Sequence, residues 1–534
     1  MSGTCLKGLI AWTKPSGRVA VPLLAACLCF PFGSNADQSL RTFDAGKPGL
    51  GYRVAQGTLP GSRDALFGDD PPKSPPAKPT TREQLFGDDL PKAEKPKPGS
   101  REELFGNDVP KTKTPPKGTA ALKPPAASDP TAGWRGYLQT DFAYTYDNPQ
   151  HWSKARARLE LGRQGRLSDS VRFRVTGRVE YDAVFDIERN FYPGDVEHDQ
   201  RRDFQWRETY LDISAGDLQF RLGRQHIVWG EVPGLFFADV VSARDLREFI
   251  LPEFDSLRIP QWAMRAEYFL ENAHIEFIWI PYVTVDRIGK PGADFYPFPP
   301  PPPPGFDAVF DSEQGPTRKL SNSNYGVRMS TLQAGWDISG FAYRSVDAEA
   351  NFYREIVAAP TPLFIFKPRH DKITQFGGTL SKDLGQFVLK AEAIYTQDKG
   401  FSVQRLSHPD GVARLDIFDY LIGADFSIGT DTRLYAYGFQ RHFVQYDSDI
   451  VPDRTETGAT LQLTHKLSST WELQALFITS LNRSDWMFRP KATWNFARNW
   501  RMNVGLDILH GPPLGFFGRY SNRDRIYTDI RYSF

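Results

Sequence analysis

The sequence predicts an all-β protein: a transmembrane antiparallel β-barrel of about 18 strands, preceded by a disordered N-terminal tail. Three observations lead to this prediction. Apolar and polar side chains alternate strictly in many segments, short turns alternate with long connections, and a two-faced strand ends in Phe534. Successive side chains of a strand point to opposite faces, so this period gives one apolar and one polar face. An outer-membrane barrel needs such strands, because one side meets lipid and the other a wet lumen.

Bulk composition does not by itself reveal a membrane protein. Hydrophobic residues make up 40% of the chain, charged residues 24%, and the mean hydropathy is −0.46, as in soluble globular proteins. Averaged hydropathy misses β-barrels, because half of each membrane strand is polar. The formal net charge of +1 gives no indication of a nucleic-acid partner.

Residues 1–36 predict a secretory signal peptide. Basic residues precede an apolar stretch over 19–32, and 34–36 resembles a small-x-small cleavage site. A competing interpretation is a lipoprotein acylated at Cys27, but the apolar stretch continues past that residue. All three cysteines lie within this segment, so we expect neither a disulfide nor a thiolate metal site in the mature chain.

Residues 37–132 predict a disordered, Pro/Lys-rich periplasmic spacer without sustained periodicity. One phrase recurs three times at a spacing of 19 residues, as "SRDALFGDD", "TREQLFGDD" and "SREELFGND". Each copy presents a Leu-Phe pair, and the three pairs are Leu66-Phe67, Leu85-Phe86 and Leu104-Phe105. Two interpretations stay open: a duplicated flexible spacer, or linear motifs that dock a periplasmic protein multivalently.

Replacing all three Leu-Phe pairs with Ala distinguishes these interpretations. If the pairs are docking motifs, the replacement abolishes capture of a periplasmic protein, because each pair contributes to one multivalent contact. Affinity capture from a periplasmic extract measures this. A triple variant that retains the same bound proteins supports the flexible spacer.

From Trp134 onward the chain consists of alternating segments that predict the barrel, over 133–534. Residues 171–182, for example, alternate Val and Phe with Arg, Thr, Glu and Asp. Charge at every second position does not fit a sheet buried on both sides, but it fits strands with a polar inner face. We therefore expect the lumen to be lined by Arg156, Arg158, Glu160, Arg172, Arg174, Arg178, Glu180 and Asp182.

Connection lengths test the barrel independently of the alternation. Short turns are expected at 165–169, 215–217, 270–273, 332–333, 382–385, 428–430, 467–469 and 498–499. The connections between them lie on the opposite side, and most are longer. This layout predicts an even number of about 18 strands, with 16 as the alternative, and both barrel ends at the periplasmic side. A soluble β-propeller is disfavoured, because blade repeats of about 40–50 residues are missing.

The last strand resembles the terminal-phenylalanine strand that the outer-membrane assembly machinery recognises. Its apolar face carries Ile526, Ile530, Tyr532 and Phe534. The expected partners of the barrel are therefore the barrel-assembly machinery and outer-membrane lipid.

Three stretches are distinctive: "LQFRLGRQHIVWGE" from Leu218, "LREFILPEFDSLRIPQW" from Leu246 and "IEFIWIP" from Ile275. They resemble a proteobacterial outer-membrane family known chiefly as domain of unknown function thirteen-oh-two, over residues 200–285. The resemblance implies a barrel in the outer membrane, in a family sometimes associated with export or uptake of lipid-like or hydrophobic compounds. It does not extend to the Leu-Phe-Gly repeats.

Within the first stretch, Arg224, Gln225, Trp229 and Glu231 lie at a strand end on the long-loop side. One interpretation is a packing and salt-bridge cluster at the barrel mouth, with Arg224 turned inward toward Glu208 or Glu231. The other is an entrance where a solute is selected.

The predicted function is a porin-like channel that passes polar, amphipathic or lipid-like small molecules. Mixed charge in the lumen orients such solutes, and a barrel this wide leaves an aqueous channel unless a loop closes it. The expected gate is 230–260, where "SARDLREFIL" has helix-like spacing of Ala243, Leu246 and Ile250. The alternative function is a structural or assembly barrel that anchors the repeat-bearing tail.

We expect no enzymatic activity, metal or cofactor. The mature chain contains no HExxH, CxxC or GxSxG motif, so the usual signatures of a zinc site, a redox or haem site and a serine nucleophile are missing.

Overall fold

The computed structural model describes residues 133–230, 232, 238–358 and 362–534. The signal segment, the spacer with its three Leu-Phe pairs, and Glu231 lie outside these residues.

Eighteen antiparallel strands form one closed barrel, because the first strand pairs with both the second and the last. The count of 18 is confirmed, and the alternative of 16 is wrong. The barrel strands are β1 (Trp134–Thr145), β2 (His151–Ser168), β3 (Val171–Asp182), β4 (Arg202–Ala215), β5 (Leu218–Gln225), β8 (Gln261–Phe269), β9 (Ala273–Tyr282), β11 (Asn324–Gln333), β12 (Trp336–Val346), β15 (Lys372–Asp383), β16 (Phe387–Ser402), β17 (Val412–Ile428), β18 (Thr432–Phe443), β19 (Thr455–Lys466), β20 (Trp471–Ser480), β21 (Trp486–Ala497), β22 (Trp500–His510) and β23 (Arg525–Ser533).

The connections confirm the predicted two-sided layout. Turns of two to four residues join the strands at one rim, and connections of five to 41 residues join them at the other. Both ends of the barrel, Trp134 and Ser533, lie at the short-turn rim. Several strands run past ten residues, so the turn expected at 165–169 lies at 169–170, after the 18 residues of β2.

Side chains alternate between an apolar outer face and a polar inner face. Leu138 and Ile422 are 48% and 56% exposed on the outside, whereas Asp141 and Arg178 are only 7% and 4% exposed on the inside. Apolar residues remain exposed around the whole wall, which is the surface that a membrane barrel presents to lipid.

Aromatic side chains form two rows on the outer face, as expected for the two membrane interfaces. The row near the short turns includes Trp134, Tyr268, Trp471, Trp494 and Trp500. The row near the long connections includes Trp152, Tyr181, Phe204, Trp206, Trp262, Tyr282, Tyr325 and Phe418. In the first row the rings of Trp471 and Trp494 stack at 5.3 Å.

The long connections carry the remaining elements. These are α1 (Val184–Ile187), α2 (Gly194–Gln200), β6 (Ala243–Arg244), α3 (Phe254–Leu257), β7 (Arg258–Ile259), β10 (Asp307–Phe310), β13 (Asn351–Val357) and β14 (Leu363–Arg369), with 3-10 turns at Leu320–Asn322 and Gly518–Tyr520. Among the described residues, no helix is long and apolar enough to cross a membrane. Strands β10, β14 and β13 form a small sheet, whose Phe352, Phe364 and Phe366 pack with Val184 and Ile288. The connections beyond the barrel therefore have an apolar core of their own.

Candidate functional site

The eight residues predicted to line the lumen all project from the inner face of β2 and β3. The register places opposite charges across from each other, in the pairs Arg156–Asp182, Arg158–Glu180 and Arg178–Glu160. Arg158 Nε donates to Glu180 Oε1 at 2.5 Å, and Arg178 Nη2 lies 2.7 Å from Glu160 Oε2. Opposite charges at such positions stabilise a sheet. This wall is therefore a ladder of ion pairs.

The other predicted lining residues differ in their environments. Arg174 Nη1 pairs with Glu208 Oε2 at 3.1 Å, and Arg172 is exposed at the short-turn end of β3. Asp182 accepts two main-chain N–H groups at 2.9 and 3.1 Å, which fixes the long-loop end of the strand. Its role is structural, since its Oδ1 accepts both of these backbone N–H groups.

We call the connection between β5 and β8, residues 226–260, the inner segment, and its described residues, 226–230, 232 and 238–260, fold into the barrel. Its Trp229 is fully buried. The indole Nε1 donates to Glu276 of β9 at 3.1 Å, and the ring packs against Phe341 and Tyr343 of β12 at 5.2 and 5.7 Å. The start of the inner segment is therefore anchored to the inner wall.

Glu392 of β16 holds the next part of the inner segment. Its carboxylate accepts the main-chain N–H groups of Val232 and Ala238 at 3.1 and 3.0 Å. Strand β16 lies six strands from β5 around the barrel. The inner segment therefore reaches far across the lumen.

Glu248 lies at the centre of an ion-pair network that holds the inner segment against another part of the wall. Its carboxylate lies 2.9 Å from Arg156 Nη1 and 3.3 Å from Arg525 Nη2, and it also pairs with Lys154 Nζ. Burial opposes ionisation of this carboxyl, but the three cations hold its pKa well below its usual range. Glu248 is therefore ionised and joins the inner segment to β2 and β23.

Four further contacts join the inner segment to β2, β4 and β21. They are Arg158–Ser256, Arg207–Asp255, Arg489–Leu251 and Lys491–Glu253, with donor–acceptor distances between 2.5 and 3.3 Å. Because β16 and β2 lie on different sides of the barrel, contacts with both mean that the inner segment narrows the lumen.

A polar cavity remains between the inner segment and the ladder of ion pairs. Its lining includes Ser153, Lys154, Arg156, Arg178, Glu180, Gln205, Arg247, Glu248 and Ser256. Charges of both signs face the cavity, so it suits a hydrated, polar solute group.

The helix-like structure expected around Ala243, Leu246 and Ile250 is wrong. Residues 243–244 form β6, which pairs with β7, and Phe249 has a φ of 53°. A residue with positive φ cannot continue a right-handed helix. The expected position of the gate, 230–260, does coincide with the segment that enters the lumen.

The predicted entrance residues do not form one open site. Arg224 lies opposite Trp262 in the ladder and two residues from Leu222, on the outer side of the wall. The inward orientation considered for Arg224 is therefore wrong, and Glu208 pairs with Arg174 instead. Trp229 is buried.

Gln225 is also fully buried, and its amide donates to the main-chain oxygen of Ala263 at 3.0 Å. Glu231 lies outside the described residues. Trp229 thus packs the inner segment onto the wall, whereas Gln225 joins β5 to β8.

Three carboxylates that hold the inner segment, Glu248, Glu276 and Glu392, are not among the residues predicted from the sequence. Glu276 and Glu392 occupy inward positions of β9 and β16, so the period of two contained a signal for both. No local pattern singled out Glu248, because its three partners lie on distant parts of the chain.

Comparisons with solved structures found similar barrels. The chain is similar to Acinetobacter baumannii OccAB1, at 10% identity over 75% of this chain and 96% of that chain, with a TM-score of 0.47. It is also similar to Pseudomonas aeruginosa OccK8 (OprE), at 9% identity over 75% of this chain and 98% of that chain, with a TM-score of 0.45. A third similar structure is OmpT, an outer membrane protein of Vibrio cholerae, at 11% identity over 75% of this chain and 96% of that chain, with a TM-score of 0.37. A search of curated protein sequences found no match.

The family model described as "Protein of unknown function (DUF1302)" matches residues 150–534. The match extends well beyond 200–285 and covers nearly the whole barrel. This protein therefore belongs to the DUF1302 family.

Proposed function

We propose that the chain is a porin-like outer-membrane channel that passes polar, amphipathic or lipid-like small molecules through a lumen narrowed by the inner segment. The observation that carries this proposal is the polar cavity between Glu248 and the ladder of ion pairs on β2 and β3. Taking charges out of water costs free energy. A barrel that served only as an anchor would be as stable with fewer such charges inside.

The proposed location is the outer membrane, with the N-terminal tail in the periplasm. The apolar outer face and its two aromatic rows support this location. In outer-membrane barrels the short turns face the periplasm, and β1 begins at that rim. A tail on that side could reach a periplasmic protein.

Planar-bilayer recordings and liposome swelling with neutral and charged solutes test this proposal. A channel gives discrete conductance steps and solute-dependent swelling. The alternative function, a structural or assembly barrel that anchors the tail, predicts no conductance and a tightly bound periplasmic protein.

Glu248→Gln is expected to release the inner segment. The substitution leaves Lys154, Arg156 and Arg525 without their shared carboxylate, and breaking a buried ion pair costs about 3–5 kcal/mol. We therefore expect more frequent and larger conductance steps than in the wild type. Asp255→Asn is the matched control in the same segment, because Asp255 is exposed and only its main-chain oxygen, which the substitution keeps, contacts the wall.

The same network predicts how conductance depends on pH. A carboxyl whose pKa is lowered by folding stabilises the folded arrangement above its unfolded pKa, and this stabilisation is lost as the pH falls through the folded pKa. Since the pKa of Glu248 lies well below its usual range, we expect the step size to be unchanged between pH 7 and pH 5. A rise in step size over that interval would contradict the ionised state of Glu248.

A further inference from the structure

Two arginines face the lumen side by side near the short-turn rim without a carboxylate partner. Arg501 of β22 and Arg531 of β23 lie directly opposite each other in the ladder. Both point inward, because Trp500, the neighbour of Arg501, is exposed on the outer face. Within the part of the chain that the structure describes, neither guanidinium makes a hydrogen bond or an ion pair, and each Nε atom is buried without a partner.

The described surroundings orient Arg531 and place no carboxylate in direct contact with either guanidinium. Glu253 and Asp529 act on Arg501, and Glu160 acts on Arg531, only at longer range. The guanidinium of Arg531 lies 3.6 Å from the centre of the Tyr137 ring, a cation–π contact that orients it. Asp529 lies two residues before Arg531 on the same face of β23, and its oxygens accept two hydrogen bonds from the Asn503 amide at 3.0 Å instead of contacting either guanidinium. Gln139 lies across from Arg531 on β1 and carries no charge.

Several other arginines of the inner wall have acidic partners. Arg158, Arg178 and Arg489 each pair with a carboxylate at 2.5 to 2.7 Å. Like charges directly opposite each other destabilise a sheet, and a buried donor without an acceptor costs further free energy. Both unfavourable contributions disappear when an anion lies between the two side chains.

We infer that Arg501 and Arg531 bind an oxyanion, the carboxylate or phosphate group of a solute, on the short-turn side of the inner segment. Guanidinium donors form a fixed fork that matches either group. Directly opposite residues have Cβ atoms about 4.5–5.5 Å apart, so the two guanidinium groups can share one anion. In calling this anion a transported solute, the inference rests on the proposed channel function. Binding itself does not require conduction.

Equilibrium binding to the full-length protein in detergent micelles tests this site. Isothermal titration with inorganic phosphate and with succinate separates the two sources of oxyanion, and chloride at equal ionic strength controls for screening. We expect Arg501→Gln and Arg531→Gln to weaken binding about tenfold or more, since a charge-assisted hydrogen bond contributes roughly 1.5–3 kcal/mol. The matched control is Arg433→Gln. Like Arg501, Arg433 is the second residue of its strand and faces the lumen, but it lies beside Ser427 and Thr464.

A charge reversal keeps the test decisive if Arg531→Gln does not assemble. Arg501→Glu would form an ion pair with Arg531, so we expect an unfolding temperature at or above that of the wild type, together with loss of oxyanion binding. If the wild type binds neither phosphate nor succinate, the proposed site is overturned. Equal weakening by Arg433→Gln would also overturn it, since that result indicates a generally positive lumen. Binding without conductance would instead contradict the proposed channel.

Discussion

Leu461→Arg is expected to destabilise the membrane-inserted barrel by about 2–4 kcal/mol, whereas Gln462→Arg leaves it inserted. Leu461 is the seventh of twelve residues in β19 and is 47% exposed on the outer face, so an Arg there enters hydrocarbon. Gln462 lies between Tyr435 and Leu476 on the inner face, so an Arg there points into the lumen and not into hydrocarbon. Neighbouring positions differ because the side-chain period of a strand is two.

Urea titration of the liposome-reconstituted variants measures this contrast, with heat-modifiable gel mobility as the measure of folded protein. A sheet buried on both faces would be damaged by both substitutions. Equal loss of folded barrel in Leu461→Arg and Gln462→Arg would contradict the assignment of faces in β19.

Replacing the inner segment, residues 226–260, with a short turn is expected to raise the single-channel conductance several-fold. Gln225 and Gln261 lie directly opposite each other in the ladder, so a turn can join β5 to β8 without moving either strand. An 18-stranded barrel without an inner segment encloses a wide aqueous lumen. The deletion also removes Glu248 from Lys154, Arg156 and Arg525, so we expect the reversal potential in a salt gradient to shift toward anion selectivity.

Deletion of the proline run 299–304 is the control for this experiment. It shortens the next long connection and leaves all contacts of Glu248 in place. Equal conductance of the wild type and the 226–260 deletion would show that the inner segment does not narrow the pathway.

Much of the barrel could be predicted from the sequence, because its strands are specified locally. The alternation of Val and Phe with charged residues over 171–182 is sufficient to predict β3 and its two faces. The turn expected at 498–499 coincides with the observed one, whereas the turn expected at 165–169 begins before the observed turn at 169–170. The error arose because ten residues suffice to cross the membrane, whereas β2 continues beyond it.

The interior could not be predicted to the same extent, because its contacts join residues far apart in the chain. Glu248 and Arg525 are 277 positions apart, and no local pattern links them. The apolar spacing at 243–250 fits a helix, but pairing of β6 with β7 and the positive φ of Phe249 override it. The orientation of Arg224, by contrast, could be predicted from the sequence. It lies two residues from the outward-facing Leu222, so the period of two places it on the outer face.

The Arg501–Arg531 pair was also beyond local prediction. Each arginine occupies an ordinary inward position in its own strand. Only the register between β22 and β23 brings the two together without a carboxylate.

The most direct measurement asks whether the solute pathway runs past the inner segment. Ser256 lines the polar cavity, and its Oγ accepts a hydrogen bond from Arg158 Nη1 at 3.3 Å. With Cys5, Cys27 and Cys29 replaced by Ala, a Ser256→Cys channel is recorded in a planar bilayer while a cationic thiosulfonate reagent is added. We expect a stepwise fall in conductance that reducing agent reverses, and no change for Leu461→Cys on the outer face. A Ser256→Cys channel that conducts normally and is labelled, yet keeps its full conductance, would contradict a pathway through this cavity.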